Sequence, residues 1–301
     1  MRTIAPSERR RALSRFADGA WLLVVLLWVP LSALGDDELT ARGEYLFNAA
    51  LCAGCHTAED GATLAGGRPI ESPFGTFYTS NITPDPEHGI GAWSEQDFVR
   101  ALSEGVSPDG AHYYPAFPYT SYTKMSRDDM RALKAYLDSV EPVAQPNQPH
   151  DLVWFADWRA PLGLWKWLYF EPGALEPDPD RDAQWNRGAY LTEAAAHCAE
   201  CHSPRDLLGG IDADARYTGA EDGVEGGATP NIRPEKEHGI GSWTPDMLAF
   251  YLEIGMDPSG DFAGGAMAHV IDEGTGKLTA EDRAAIAEYI LALPSSSDGS
   301  E

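Results

Sequence analysis

Cysteine is scarce in this chain: its 301 residues hold 4, all confined to two short motifs. None is left over for the disulfide framework that small secreted domains rely on. Basic residues are also few, with 22 Lys and Arg against 47 Asp and Glu and a formal net charge of −25. So acidic a chain repels nucleic acid and anionic lipid surfaces, which disfavours both as partners. Long hydrophobic runs are lacking too. The apolar run from Ala20 to Leu34 covers 15 residues, short of the ~20 that span a bilayer comfortably. No run alternates apolar and polar residues as a strand would. Neither a phosphate-binding loop nor a dinucleotide fingerprint occurs.

What the chain does have is one pentapeptide pattern, used twice. Cys52-Ala53-Gly54-Cys55-His56 recurs as Cys198-Ala199-Glu200-Cys201-His202. C-x-x-C-H is the attachment signature of a c-type haem. The two thiols add to the two vinyl groups of one porphyrin, and the two residues between them set the separation. The His follows at once because its imidazole must reach the iron of the same ring. A redox dithiol or a four-thiolate zinc site also uses C-x-x-C, but zinc pairs usually lie roughly 15–20 residues apart. Here Cys198 follows Cys52 by 146 residues, and neither alternative requires a His after each pair. The pattern predicts two covalently bound haem c groups, held by Cys52, Cys55, Cys198 and Cys201, with His56 and His202 each supplying one ligand to iron.

The N-terminus carries Arg2, Arg9, Arg10, Arg11 and Arg15, then the apolar run, then Ala33-Leu34-Gly35 before a plausible cut ahead of Asp36. Residues 1–35 therefore read as a secretory signal, with an uncleaved membrane anchor as the alternative. Either places the remainder outside the cytoplasm, in the periplasm, in keeping with c-type haem. Without residues 1–35, which hold those five Arg plus Glu8 and Asp18, 17 basic residues face 45 acidic ones, a balance of −28. Such charge steers toward a basic partner; solubility alone is the competing explanation.

The second half repeats the first. Arg42-Gly43-Glu44-Tyr45-Leu46 answers to Arg187-Gly188-Ala189-Tyr190-Leu191, and the loop Asn81–Trp93, with Glu87-His88-Gly89-Ile90-Gly91, answers to Asn231–Trp243, with Glu237-His238-Gly239-Ile240-Gly241. The offset drifts from 145 at Arg42 to 153 at Ser126 and Thr279, so small insertions sit in between. Short helices are expected. One covers Glu38–Leu51 ahead of the first motif. Others start at the N-caps Ser94, Ser126, Thr244 and Thr279. After Ser126, Met130, Leu133, Leu137 and Val140 form one buried stripe; after Thr279, Ile286, Tyr289, Ile290 and Leu293 do the same. Between the copies lies a Pro-flanked segment rich in aromatics, including Trp154, Trp158, Trp165 and Trp167. Lacking the basic face of an interfacial helix, it is expected to strap across both halves.

A sixth ligand on each iron separates a carrier from a catalyst. A Met thioether raises the potential and closes the iron; an open position admits chemistry. In the second copy Met267, in Gly264-Gly265-Ala266-Met267, precedes the last helix and is the expected ligand; Met256 is the rival. In the first copy an offset of 150 maps Met267 onto Phe117. Met125 is then the expected ligand, with His112 or an open site as alternatives. His88 and His238 are expected to hold their loops or a propionate, His197 and His269 to lie near a haem edge, and Trp93 and Trp243 to wall the pockets.

Asn81–Trp93, Tyr114–Tyr119 with Ser121-Tyr122, and Trp185–Leu191 resemble the cytochrome c subunits of bacterial membrane-associated alcohol, aldehyde and gluconate dehydrogenases. The likeness covers about residues 40–294. It implies an all-α fold of two tandem class I cytochrome c domains, 36–141 and 187–294, joined by an aromatic linker, 142–186, with a disordered tail, 295–301. It also implies an electron relay from a dehydrogenase toward a small cytochrome, quinone or oxidase, without catalysis of its own. Those subunits typically carry three haem domains where this chain shows two motifs, and their first domain often has Met at the place of Phe117. The alternatives are a diheme peroxidase-like enzyme, which needs one haem without a permanent sixth ligand, and a structural or anchoring subunit. Haem enzymes with a Cys sixth ligand are excluded, since no fifth Cys exists.

Overall fold

The computed structural model describes residues 31–221, 223 and 227–295, with only the backbone of residues 31–34. The export or anchor segment up to residue 30 and the tail beyond Ser295 lie outside them. Among the described residues no helix is long and apolar enough to cross a membrane.

The first half opens with helix α1 (Leu31–Ala49) and the single-turn α2 (Cys52–His56), followed by strands β1 (Pro69–Ser72) and β2 (Gly75–Tyr78). Helices α3 (Glu95–Glu104), α4 (Tyr119–Tyr122) and α5 (Arg127–Ser139) complete it. Strand β3 (Asp151–Leu152) and helix α6 (Leu162–Tyr169) belong to the bridging segment. The second half holds α7 (Ala183–Tyr190), a π-helical turn (Leu191–Ala195), α8 (Ala199–His202), α9 (Pro245–Ile254), α10 (Gly265–Glu273), a 3₁₀ turn (Thr275–Lys277) and α11 (Ala280–Leu291). The N-caps are those the sequence predicts. The side chains of Ser94, Ser126, Thr244 and Thr279 each accept from the backbone N–H three residues on, and Ser94 with Asp97 closes a capping box.

The expectation of a purely helical chain is corrected by a small antiparallel sheet in the order β1-β2-β3. Its strands are two to four residues long, too short for alternation to register. The third comes from residues 151–152, far along the chain, so no local pattern announces it. Gly75 makes the pairing feasible: at φ 114°, a Cβ there would lie 2.3 Å from the Asp151 carbonyl oxygen.

Two helix pairs frame the molecule: α1 packs on α5, and α7 on α11. Each crossing is made by the glycine of the Arg-Gly repeat. A Cβ on Gly43 would sit 1.9 Å from the Ala132 carbonyl oxygen, and one on Gly188 1.9 Å from that of Ala285. Two buried clusters lie under the pairs. One gathers Leu46, Leu64, Ile90, Phe98, Leu102, Met130, Leu133 and Leu137, the other Leu191, Ile240, Leu248, Leu252, Ile286 and Ile290.

The clusters interlock. Ala49 of the first half packs in the second cluster and its counterpart Ala194 in the first. Tyr45 donates its hydroxyl to Asp282 Oδ2 at 2.6 Å, and Tyr190 returns the contact to Asp129. The same two hydroxyls accept, at 3.1 Å each, from the backbone N–H of Thr279 and of Ser126. Within each half Arg42 pairs with Asp129 at 2.6 Å and Arg187 with Asp282 at 2.7 Å. Reciprocal contacts of this kind are what a two-fold relation between copies produces.

The bridging segment is fastened to both halves, by polar anchors more than by its rings. Asn81 donates to the carbonyls of Val143 and Gln145 at 2.8 and 3.1 Å, and Leu175 N to that of Lys124 at 2.9 Å. On the second half, Trp165 Nε1 donates to the Leu208 carbonyl at 2.9 Å and Tyr169 to Asp206 at 2.6 Å. Lys166 is buried, with Nζ 2.6 and 2.7 Å from the carbonyls of Glu104 and Gly105. Trp154, Trp158 and Trp167, expected to pack across the halves, are instead 87, 69 and 77% exposed.

Candidate functional site

Each C-x-x-C-H motif forms a single short helical turn, Cys52–His56 and Ala199–His202, separated from the helix before it. The residue before each first cysteine takes a left-handed conformation, Leu51 at φ 56° and His197 at φ 40°. That kink turns the motif away from the preceding helix axis. The offset between copies is 145 at Arg42 and Arg187 but 146 at Cys52 and Cys198, so the second copy carries one extra residue. The π-helical turn Leu191–Ala195 lies in that interval and absorbs it, as π-bulges do.

Behind each motif the histidine is held in the same way. His56 Nδ1 lies 2.6 Å from the Ser80 carbonyl oxygen and His202 Nδ1 2.8 Å from that of Pro230. A carbonyl only accepts, so Nδ1 carries the proton and the Nε2 lone pair is available to a metal. Burial lowers the pKa of both imidazoles, which keeps them neutral as ligation requires. The carbonyls of the two histidines also accept in parallel, from Gly66 N and Gly219 N at 2.8 Å each. Arg68 donates to the Gly54 carbonyl, and Thr229 Oγ1 to that of Cys201 at 2.6 Å.

Burial, with a smaller push from neighbouring groups, moves Cys52 and Cys198 up to about 12. Among the described residues no three His, Cys, Asp or Glu side chains gather where they could hold a metal ion, so the two motifs do not pool their sulfurs. Two thiols and an adjacent, carbonyl-oriented imidazole on one turn fit a thioether-bound haem.

Trp93, Ile82 and Phe117 pack against the first cluster, Trp243, Ile232 and Met267 against the second. Met267 is half-buried on α10 rather than in a loop. Met125 is 1% exposed, inside the first cluster. Met256 forms a backbone bridge with Phe262 just beyond α9. His112 Nδ1 lies 2.9 Å from Lys166 Nζ, which draws its ring toward the bridging segment. His88 sits in a loop closed by Asp85, whose Oδ1 accepts from His88 N at 2.7 Å. His269 is exposed on α10.

Two features at the site went unread in the sequence. Tyr122 packs edge-on against His197 with centroids 5.5 Å apart, and Thr120 and Ser121 donate to Glu200 Oε1 at 2.8 and 3.0 Å. Helix α4 thus touches the second attachment motif directly. Nearby, Glu193 on the π-helical turn accepts from Tyr217 and Tyr289 at 2.6 and 2.8 Å and pairs with Lys124 at 3.0 Å and Arg216 at 2.5 Å. Burial alone would raise its pKa, but Arg216, Lys124 and the two hydroxyls outweigh it and hold the carboxyl at about 2. The spacing of Glu193 from Cys198 gave no hint of this, because its partners come from both halves.

A motif built to bond haem through two sulfurs and one imidazole defines a c-type cytochrome, and the cytochrome c family model matches residues 40–141. The chain belongs to the diheme c-type cytochrome family: it is 41% identical over 280 residues to a diheme cytochrome c-type of Cereibacter sphaeroides, covering 89% of this chain and 93% of that one. It is 36% identical to the cytochrome c subunit of a quinone alcohol dehydrogenase of Gluconobacter oxydans, over 97% of this chain and 63% of that one. With the gluconate 2-dehydrogenase cytochrome c subunit of Pantoea cypripedii it shares 37% identity, over 90% of this chain and 64% of that one. The chain thus spans slightly under two thirds of these dehydrogenase subunits. Covalently bound haem c is the cofactor of this family.

Proposed function

We propose that this protein is an exported, periplasmic electron relay carrying two haem c groups. One is bonded to Cys52 and Cys55 with His56 on iron, the other to Cys198 and Cys201 with His202 on iron. Two tandem class I cytochrome c domains, 36–141 and 187–294, hold them, with 142–186 as the linker. Met267 is the sixth ligand of the second haem. The observation that carries this reading is the duplicated histidine geometry, an imidazole fixed by a carbonyl behind each pair of thiols.

Bound haem supplies a one-electron ferric–ferrous couple. The chain's residues hold each ring rigidly and exclude water from it, and two such centres in series accept a two-electron donor's electrons singly. The direct contact of Thr120 and Ser121 with Glu200 supports short communication between the sites. The relatives that are dehydrogenase subunits support a dehydrogenase as donor, with a small cytochrome or a terminal oxidase of the respiratory chain as acceptor. The net charge of −25 favours docking to a basic face. Anchoring through the N-terminal segment is the structural alternative for the chain's place at the membrane.

Intact-mass spectrometry of exported protein tests the assignment. Two haem adducts are expected, falling to one when Cys52 and Cys55, or Cys198 and Cys201, are replaced by Ala. A wild-type chain carrying one adduct or none would refute it.

A further inference from the structure

The two copies differ at residue 117 and its counterpart, residue 267. Backbone pairing fixes their register right up to that point. Val106 bridges His112 in the first copy and Met256 bridges Phe262 in the second. Tyr113 N donates to the Gly105 carbonyl at 2.9 Å, and Ala263 N to that of Gly255 at 2.8 Å. All of these pairs are related by 150 residues, as are the carbonyls of Ser80 and Pro230 behind the histidines. Four residues further on, the same register sets Phe117 opposite Met267. Both are half-buried and packed against their own cluster. A phenyl ring has no lone pair to offer iron.

Met125 has a different counterpart. It immediately precedes the N-cap Ser126, as Leu278 precedes Thr279, and the two are 1 and 4% exposed within their clusters. That place is the apolar residue ahead of an N-cap, which packs against the fourth residue of the helix, here Met130; a leucine fills it as well as a methionine. Met125 lines a cavity of about 340 Å³ with Met130, Val99 and Pro172. His112, the counterpart of Phe262, pairs with Val106 in its bridge and is engaged by Lys166.

We infer that the haem at Cys52–His56 has no protein sixth ligand and binds small neutral diatomic molecules at its iron, against an aromatic wall. Phe117 forms that wall, with Tyr113 at 5.4 Å and Tyr122 at 5.7 Å between ring centroids. Rings of this kind favour a neutral ligand over an anion, which would have to shed its water to enter. In this proposal Met125 serves packing rather than ligation.

The inference rests on the two-haem reading, so the test first counts haems by pyridine haemochromogen, which is indifferent to native ligation. A count other than two refutes that reading. With two present, the reduced protein is titrated with carbon monoxide and followed by absorbance. The expected result is rapid uptake of one carbon monoxide per chain, unchanged in Met125→Leu, lost in Phe117→Met and doubled in Met267→Leu. No uptake by the wild-type protein, or uptake that appears only in Met125→Leu, would overturn the inference while leaving two haems in place.

Discussion

Glu193 shows how much a single buried side chain carries. Its two oxygens satisfy two tyrosine hydroxyls, an arginine and a lysine, and one of those partners, Lys124, comes from the other half. Its carboxyl is held at about 2 against an ordinary 4.5. Between those values the unfolded chain binds a proton that the folded chain does not, so stability falls as pH drops from 4.5 toward 2. The shift corresponds to about 3 kcal/mol, fully present above pH 4.5. Glu193→Gln is expected to lose about that much at neutral pH, because it also strands Arg216. Chemical denaturation across pH checks both parts: the variant should be weaker at pH 7 and show a shallower acid decline. Nothing near Glu193 in the sequence revealed this. The two C-x-x-C-H motifs, by contrast, stand out in the sequence, since their spacing is fixed within five positions.

At the scale of elements, glycine sets the helix crossings. Gly43→Ala and Gly188→Ala each drive a methyl into a backbone carbonyl 1.9 Å away, which cannot rotate aside. Each is expected to cost about 3 kcal/mol, the upper range of overpacking. Gly163→Ala on α6 is the control: its Cβ would meet only His112 Nε2 at 3.8 Å, so it should be neutral or slightly stabilising. Thermal unfolding of the three variants separates them. The caps at Ser94, Ser126, Thr244 and Thr279 were readable because a hydroxyl that accepts from the backbone N–H three residues on is a local signal. The sheet was not, since β3 reaches it from the bridging segment. The one-residue drift between Arg187 and Cys198 was visible, but only the backbone shows that a π-helical turn takes it up.

Across the whole molecule, the repeat was plain in the sequence while the way its copies grip each other was not. Tyr45 and Tyr190 look like ordinary apolar-face aromatics, yet each hydroxyl crosses to the other half and binds the aspartate beside that half's last N-cap. Tyr45→Phe and Tyr190→Phe should each lose about 2 kcal/mol, as hydrogen bonds to charged acceptors do. Calorimetry should show one unfolding transition in the wild-type protein and a broadened or split one when both are replaced. A fold locked in this way keeps two attachment motifs at a fixed separation, which is what a relay between them requires.

The most direct measurement of that role is a spectroscopic redox titration with counted electrons. Two one-electron waves, together taking up two electrons per chain, with one wave lost in the Cys198→Ala/Cys201→Ala variant, are predicted. A single wave accounting for one electron per chain, or a total unchanged by that variant, would contradict the account.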